Sequence, residues 1–302
     1  MAIPEPVLVT GATGKQGGAV ARALLATGVP VRALVRDPQS ASASEIEALG
    51  ATLVAGDLND KDSLTAAAHG ARAVFSVQTP DRADPSSASE MLQGKNLVEA
   101  AKAAQVEQFV HTSVAGAGEF HRTAPGWTEG RWNRHFWESK AYTQELVRDA
   151  GFIYWTLLKP SFFMENFIRP SALFADGVGD RLVTAIAPDT VVSLVAVQDI
   201  GRAAAAAIND PARFTKVELE LASDLLTMRE IAAVLSDVLG TEIEAPSLTA
   251  EEAVAAGLPV GAVHSQQRMN EVVGPAVPEY ARNLGLTTTG FRTWAAENMK
   301  GR

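Results

Sequence analysis

Gly11, Gly14 and Gly17 stand three residues apart in VTGATGKQGGAV, and backbone chemistry served by such spacing is the grip of a large anion. A residue without Cβ takes positive φ in a tight strand-to-helix turn and lets the main chain approach a ligand closely. Gly11 is assigned the turn, Gly14 the close approach, and Gly17 the packing of the helix onto the strand. Amides at the helix start, aided by its dipole, then hold a pyrophosphate. Thr13, Lys15 and Gln16, the polar residues of the bend, are placed in the same site. The pattern G-x-x-G-x-x-G is one residue longer at the front than the G-x-G-x-x-G dinucleotide fingerprint. Glycines also serve turns for steric reasons alone. The dinucleotide reading rests on context, because this triplet follows the first apolar strand and opens a helix within a βαβ unit.

The end of the second strand, VRALV, selects the nucleotide. An acidic residue there accepts hydrogen bonds from a ribose 2′-hydroxyl, as NAD requires. Arg36 occupies that end instead, and with Lys15 it suits a 2′-phosphate through charge-assisted contacts. The alternative is that Asp37, the next residue, ties Arg36 into a surface pair of little value. The reading favours NADP(H) over NAD.

These residues need a frame. Apolar runs with β-branched residues alternate with Ala/Leu-rich amphipathic stretches. Strands are predicted at 6–10, 31–35, 52–55, 73–78, 108–113 and 154–158, and helices at 15–27, 90–104 and 134–149. That alternation predicts an α/β fold with a doubly wound parallel sheet of the Rossmann type. After Pro160 the rhythm weakens. A helix at 199–209 and a strand at 216–221 return to the first sheet, and 227–302 reads as mostly helical. Residues 1–165, with roughly 195–223, form the expected NADP-binding domain. Residues 166–194 and 224–302 form a smaller, mostly helical second lobe for substrate or partner, expected over the carboxyl edge of the sheet.

The 302 residues are 47% hydrophobic and 20% charged, which excludes wholesale disorder. Thirty-five acidic against 26 basic residues give a formal charge of −9 with no basic block, a field that disfavours direct nucleic-acid binding. With no cysteine there are no disulfides, thiolate metal sites or thiol redox chemistry. No leader pattern and no apolar run of roughly 18 residues is present, so a soluble, cytoplasmic protein is expected.

With the glycine bend and Arg36, the chain resembles the NmrA-like members of the atypical short-chain dehydrogenase/reductase superfamily. The likeness runs nearly end to end, through GDLND, VQTP, NLVEAAKAAQVEQFVHTSVAGA, LLKPSFFMENF, VAVQDIG and LGLTTTGFRTW. It implies that Asp57 and Leu58 flank an adenine. It implies too that Gln78, Thr79 and Pro80 line the ribose and nicotinamide path, and that Pro160, Ser161, Phe162 and Phe163 cover the nicotinamide side. All sit at carboxyl ends of predicted strands, where ligands of doubly wound sheets bind. For Asp57 a helix cap is the other reading.

Carbonyl reduction in the wider superfamily uses a Tyr-x-x-x-Lys pair with a serine. In HFWESKAY, Lys140 matches the lysine and is expected on the cofactor ribose, unless it is a solvated surface lysine. Phe136 stands at the tyrosine position, and a benzyl ring has no proton to give. Tyr142 lies two positions past Lys140, about 200° around a helix, and points elsewhere. Ser113 matches the serine and is expected beside the nicotinamide amide or a substrate oxygen, or else closes the turn after its strand. The stretch 120–137 holds three of the five tryptophans. Its rings either stack on a planar acceptor or anchor the loop, and His121 and His135 are the candidate replacement proton donors. No histidine pairing points to a metal. Gln266, Gln267 and Arg268 form a polar cluster tied to no substrate.

The resemblance leads to NADPH-dependent reduction of a small conjugated or quinone-like molecule, with hydride delivered without the tyrosine. A regulator that senses NADP(H) and changes protein partners is the alternative, and a biosynthetic reductase of narrow substrate range is a third.

Overall fold

The computed structural model describes residues 5–79, 81, 83, 84 and 86–299. Pro80, expected on the ribose path, lies outside them. In chain order the strands are β1 (Val7–Val9), β2 (Val31–Val35), β3 (Thr52–Ala55), β4 (Ala73–Ser76), β5 (Gln108–Thr112), β6 (Tyr154–Pro160), β7 (Phe162–Phe163), β8 (Val191–Val195), β9 (Val217–Leu221) and β10 (Asp224–Thr227). Seven form one sheet in the order β3-β2-β1-β4-β5-β6-β9, and three form another in the order β10-β8-β7.

The chain divides into two compact units. The first runs to Gly118 and adds His135–Lys159 and Val197–Leu219; the second is Glu119–Arg134, Pro160–Ala196 and the chain from Glu220 onward. Residues 119–134, grouped with the nucleotide-binding part in the sequence reading, therefore fall in the second unit. Arg131 anchors them there, its Nη2 donating at 2.6 Å to Glu271 at the end of the helix Val260–Glu271.

In the first unit, every pair from β3 through β6 runs parallel. Strands such as VLV, AVFS and QFVHT are buried throughout, as a sheet covered on both faces requires. β1 pairs with β2 on one side and β4 on the other, so the strand order reverses at the carboxyl end of β1. Such a switch point leaves a crevice for a ligand. The Ala-rich helix Val197–Asn209 lies close to Lys15–Ala26, since a Cβ on Gly201 would fall 2.6 Å from the carbonyl oxygen of Ala19. Two helices missed in the sequence, Ala41–Ala48 and Lys61–Ala68, are eight residues each, too short for helical periodicity to show. Their caps, Ser40 and Asp60, were the available signal.

The second unit has its own core. The rings of Phe167 and Phe291 meet at 5.5 Å, those of Phe291 and Trp294 stack at 5.6 Å, and the Trp294 indole donates to Glu165 at 3.0 Å. Thr227 with Glu230 and Thr249 with Glu252 form capping boxes that open two of its helices. The unit is not wholly helical: β8 pairs antiparallel with β10 and parallel with the two-residue β7. No helix among the described residues is long and apolar enough to cross a membrane.

Candidate functional site

The bend after β1 is built as its glycines require. Gly11 has φ +60°, and a Cβ there would lie 2.7 Å from Val77 Cγ1. A Cβ on Gly17 would meet the Gly11 carbonyl oxygen at 2.3 Å and that of Thr10 at 2.4 Å, so only glycine lets the helix sit this close to the strand end. Gly14 is the N-cap and offers no side chain to the first turn. The amides of Lys15, Gln16 and Gly17 therefore meet no intrahelical acceptor and face outward along the helix axis, an arrangement suited to phosphate oxygens. Thr10, which sequence reasoning passed over, fastens the bend: its hydroxyl oxygen accepts from the Val77 amide at 2.9 Å, joining the ends of β1 and β4. Gln16 is tied to the end of β5, its Oε1 accepting from Thr112 Oγ1 at 2.7 Å.

A cleft of about 620 Å³ opens at this bend. Gly11, Thr13, Arg36, Asp57, Leu58 and Thr79 line it, as do Asn59 and Gln93. The volume is in the range of small-molecule and cofactor sites. Arg36 and Lys15 are exposed, and among the described residues neither makes an ion pair. Among the described residues Asp37 makes no ion pair with Arg36; its Oδ1 accepts from the Gln39 amide at 2.9 Å. Asp57 is not the helix cap, a role held by Asp60; Asp57 Oδ1 instead accepts from the backbone and side-chain amides of Asn59 at 2.8 and 2.9 Å. Asn59 was visible within GDLND. Gln93, on the helix Ser89–Ala103, carried no local signal.

Behind the carboxyl ends of β4 and β5 lies a buried polar chain. Gln78 donates to Ser76 Oγ at 3.0 Å, and that hydroxyl meets His111 Nδ1 at 3.1 Å. Burial, reinforced by the charge of Lys140, lowers the His111 pKa to about 3, so this imidazole is neutral. Ser113 Oγ donates to the Lys140 carbonyl at 3.3 Å and accepts from Gln144 at 2.8 Å, pinning β5 to the helix Arg134–Asp149. Lys140 is no solvated surface lysine. Its ammonium is ion-paired with Glu90, the two side chains being 14% and 8% exposed, and it lies 5.8 Å from the centre of the Phe136 ring. His135 Nε2 lies 3.0 Å from the Ser87 carbonyl.

In the second unit, Trp127 and Trp132 are buried, and the Trp132 indole donates to the Pro125 carbonyl at 2.6 Å. Arg134 donates to the Trp127 carbonyl, and His121, fully buried, sets its ring edge-on to Trp127 at 4.5 Å. These contacts anchor the loop. Pro160 ends β6, and Phe162 and Phe163 form β7. The Ser161 amide donates to Leu221 at 3.0 Å, while its buried hydroxyl has no partner among the described residues. In the polar cluster, Gln266 Oε1 accepts from Thr184 and from the Ala185 amide, and burial holds Arg268 down to about 10.

A parallel sheet with a reversed strand order, a glycine bend running into a helix, and a cleft at the switch point define a Rossmann-type protein of the dinucleotide-binding class. The chain belongs to the NmrA-like family, whose model matches residues 5–282. It is 31% identical over 283 residues to the NAD(P)H azoreductase of Xenophilus azovorans, covering 91% of this chain and 88% of that one. In fold it is similar to the NADPH-dependent quinone oxidoreductase of Escherichia coli, solved with NADPH, at TM-score 0.76 and 24% identity over 96% of this chain and 99% of that one. It is similar also to NmrA, a negative transcriptional regulator solved with NADP, at TM-score 0.74 and 21% identity over 97% of this chain and 95% of that one.

Proposed function

We propose that the chain binds NADP(H) at the β1 bend and reduces small conjugated or quinone-like compounds. The observation that carries this reading is that the helix whose free first-turn amides, at 15–17, follow the glycine bend starts beside a cleft lined by Gly11, Thr13 and Arg36, and that among the described residues neither Arg36 nor the exposed Lys15 makes an ion pair. The amides hold the pyrophosphate, Arg36 and Lys15 the 2′-phosphate, and Leu58 with Asn59 and Gln93 the adenine. Lys140 holds the nicotinamide ribose. Bound NADPH supplies a hydride.

The protein's own proton chemistry is sparse. Phe136 has no donor, Ser113 gives its proton to a backbone carbonyl, and buried His111 stays neutral. This suits an acceptor whose reduced form takes its proton from water, as azo and quinone compounds do, and the names of the azoreductase and quinone-oxidoreductase relatives agree. The protein's part is then orientation and exclusion of side reactions. The likeness to NmrA, with the same lack of a donor at Phe136, favours the second reading, an NADP(H)-sensing regulator with a protein partner. NADPH oxidation followed against a panel of quinones and azo dyes tests the choice. Turnover with at least one acceptor supports the reductase; tight NADPH binding with every acceptor inert supports the sensor.

A further inference from the structure

We propose that Glu90 is a positioning residue, which holds the Lys140 ammonium in place for the nicotinamide ribose. The proposal rests on the NADP(H) reading above and deepens it. Glu90 stands in the first turn of the helix Ser89–Ala103 and Lys140 midway along Arg134–Asp149, so two residues 50 apart in sequence bridge two helices. Their charged ends meet where both side chains are largely withdrawn from water. Taking two charges out of water is costly, and a buried pair of this kind is weak evidence for stability, since apolar residues of the same volume commonly do as well. Its presence calls for a different account.

Geometry supplies one. Lysine is a long, flexible side chain with three ammonium donors. Glu90 occupies one donor and Phe136 lies against the cation, which fixes the stem and leaves two donors for other oxygens. The Lys140 carbonyl is itself held by Ser113 at the carboxyl end of β5. Backbone and head group are thus both anchored, which is how a flexible side chain is pre-organised for a ligand. Phe136, from the lysine's own helix, lies 5.8 Å from the ammonium, and His111 of β5 is near enough for the charge of Lys140 to reinforce its neutral state.

Titration of the cofactor-free protein with NADP⁺ and, separately, with 2′,5′-ADP tests this. The second ligand carries the adenine, its ribose and the 2′- and 5′-phosphates, but neither the second phosphate of the pyrophosphate nor the nicotinamide ribose. Glu90→Gln should weaken NADP⁺ by about tenfold, since a buried charge has lost its partner, and leave 2′,5′-ADP within about twofold. Added to Lys140→Met, it should deepen the loss no further, because the two act as one unit. Unchanged or tighter NADP⁺ binding, equal losses for both ligands, or additive losses with Lys140→Met would each overturn the proposal. If Glu90→Gln does not fold, Glu90→Asp carries the same comparison: a selective loss for NADP⁺ supports it, and no loss or an equal one overturns it. Wild-type protein that binds neither ligand would instead contradict the NADP(H) reading itself.

Discussion

A Cβ atom on Gly17 would lie 2.3 Å from the carbonyl oxygen of Gly11, the residue that turns the chain out of β1. Nothing on either side of this contact can rotate away, because the opposing atoms are backbone. Gly17→Ala must therefore push the helix start off the strand end. The expected cost is about 1–3 kcal/mol of stability, as for other overpacked sites, together with a clear loss of NADP⁺ affinity. Thermal unfolding and calorimetric titration of the variant check both.

Arg36 lines the cleft and is exposed, and among the described residues it makes no ion pair, so its charge faces a ligand. Arg36→Glu should weaken NADP⁺ far more than NAD⁺. A charge-assisted contact is worth about 1.5–3 kcal/mol, so a tenfold to hundredfold loss is expected for NADP⁺. Equal losses for the two nucleotides would show that Arg36 does not read the 2′-phosphate.

His111 makes stability depend on pH. In the folded protein it refuses a proton down to about 3, whereas in the unfolded chain it takes one up near 6.5. Between those values the unfolded state binds more protons, so stability is full above 6.5 and falls as the pH drops, by at most about 1.4 kcal/mol per pH unit from this group. Denaturant unfolding of the wild type and of His111→Gln at a series of pH values should show a shallower acid slope in the variant. Parallel slopes would remove His111 from the account.

Trp132 decides what the aromatic stretch does. It is buried, and its indole is spent on the Pro125 carbonyl. Trp132→Ala should cost about 3–5 kcal/mol as a core truncation while leaving NADP⁺ affinity near wild type. A stable variant with a raised KM for the acceptor would point to ring stacking on substrate instead.

The parts of the site legible in the sequence are those fixed by local backbone need. Gly11 and Gly17 were readable because positive φ and close packing admit few other residues, and Arg36 because strand β2 ends at Val35, directly before it. The strands at Val31–Val35 and Thr52–Ala55 were likewise found to the residue. What stayed hidden depends on distant pairing. Nothing near Lys140 announces Glu90, and nothing near Asn59 announces Gln93, since the first pair joins two helices and the second joins a turn to a helix 34 residues on. β7 has two residues, too few for any alternation, and the buried chain from Gln78 to His111 exists only because β4 and β5 run side by side. The tryptophans of 120–137 were conspicuous by type, but only their burial shows them anchoring the loop.

Calorimetric titration of the wild-type chain with NADPH bears most directly on the central claim that the bend after β1 grips this nucleotide. The account predicts saturable binding at one site per chain, weakened sharply by Gly17→Ala. Absence of any binding heat up to millimolar nucleotide, or binding that Gly17→Ala leaves untouched, would contradict it.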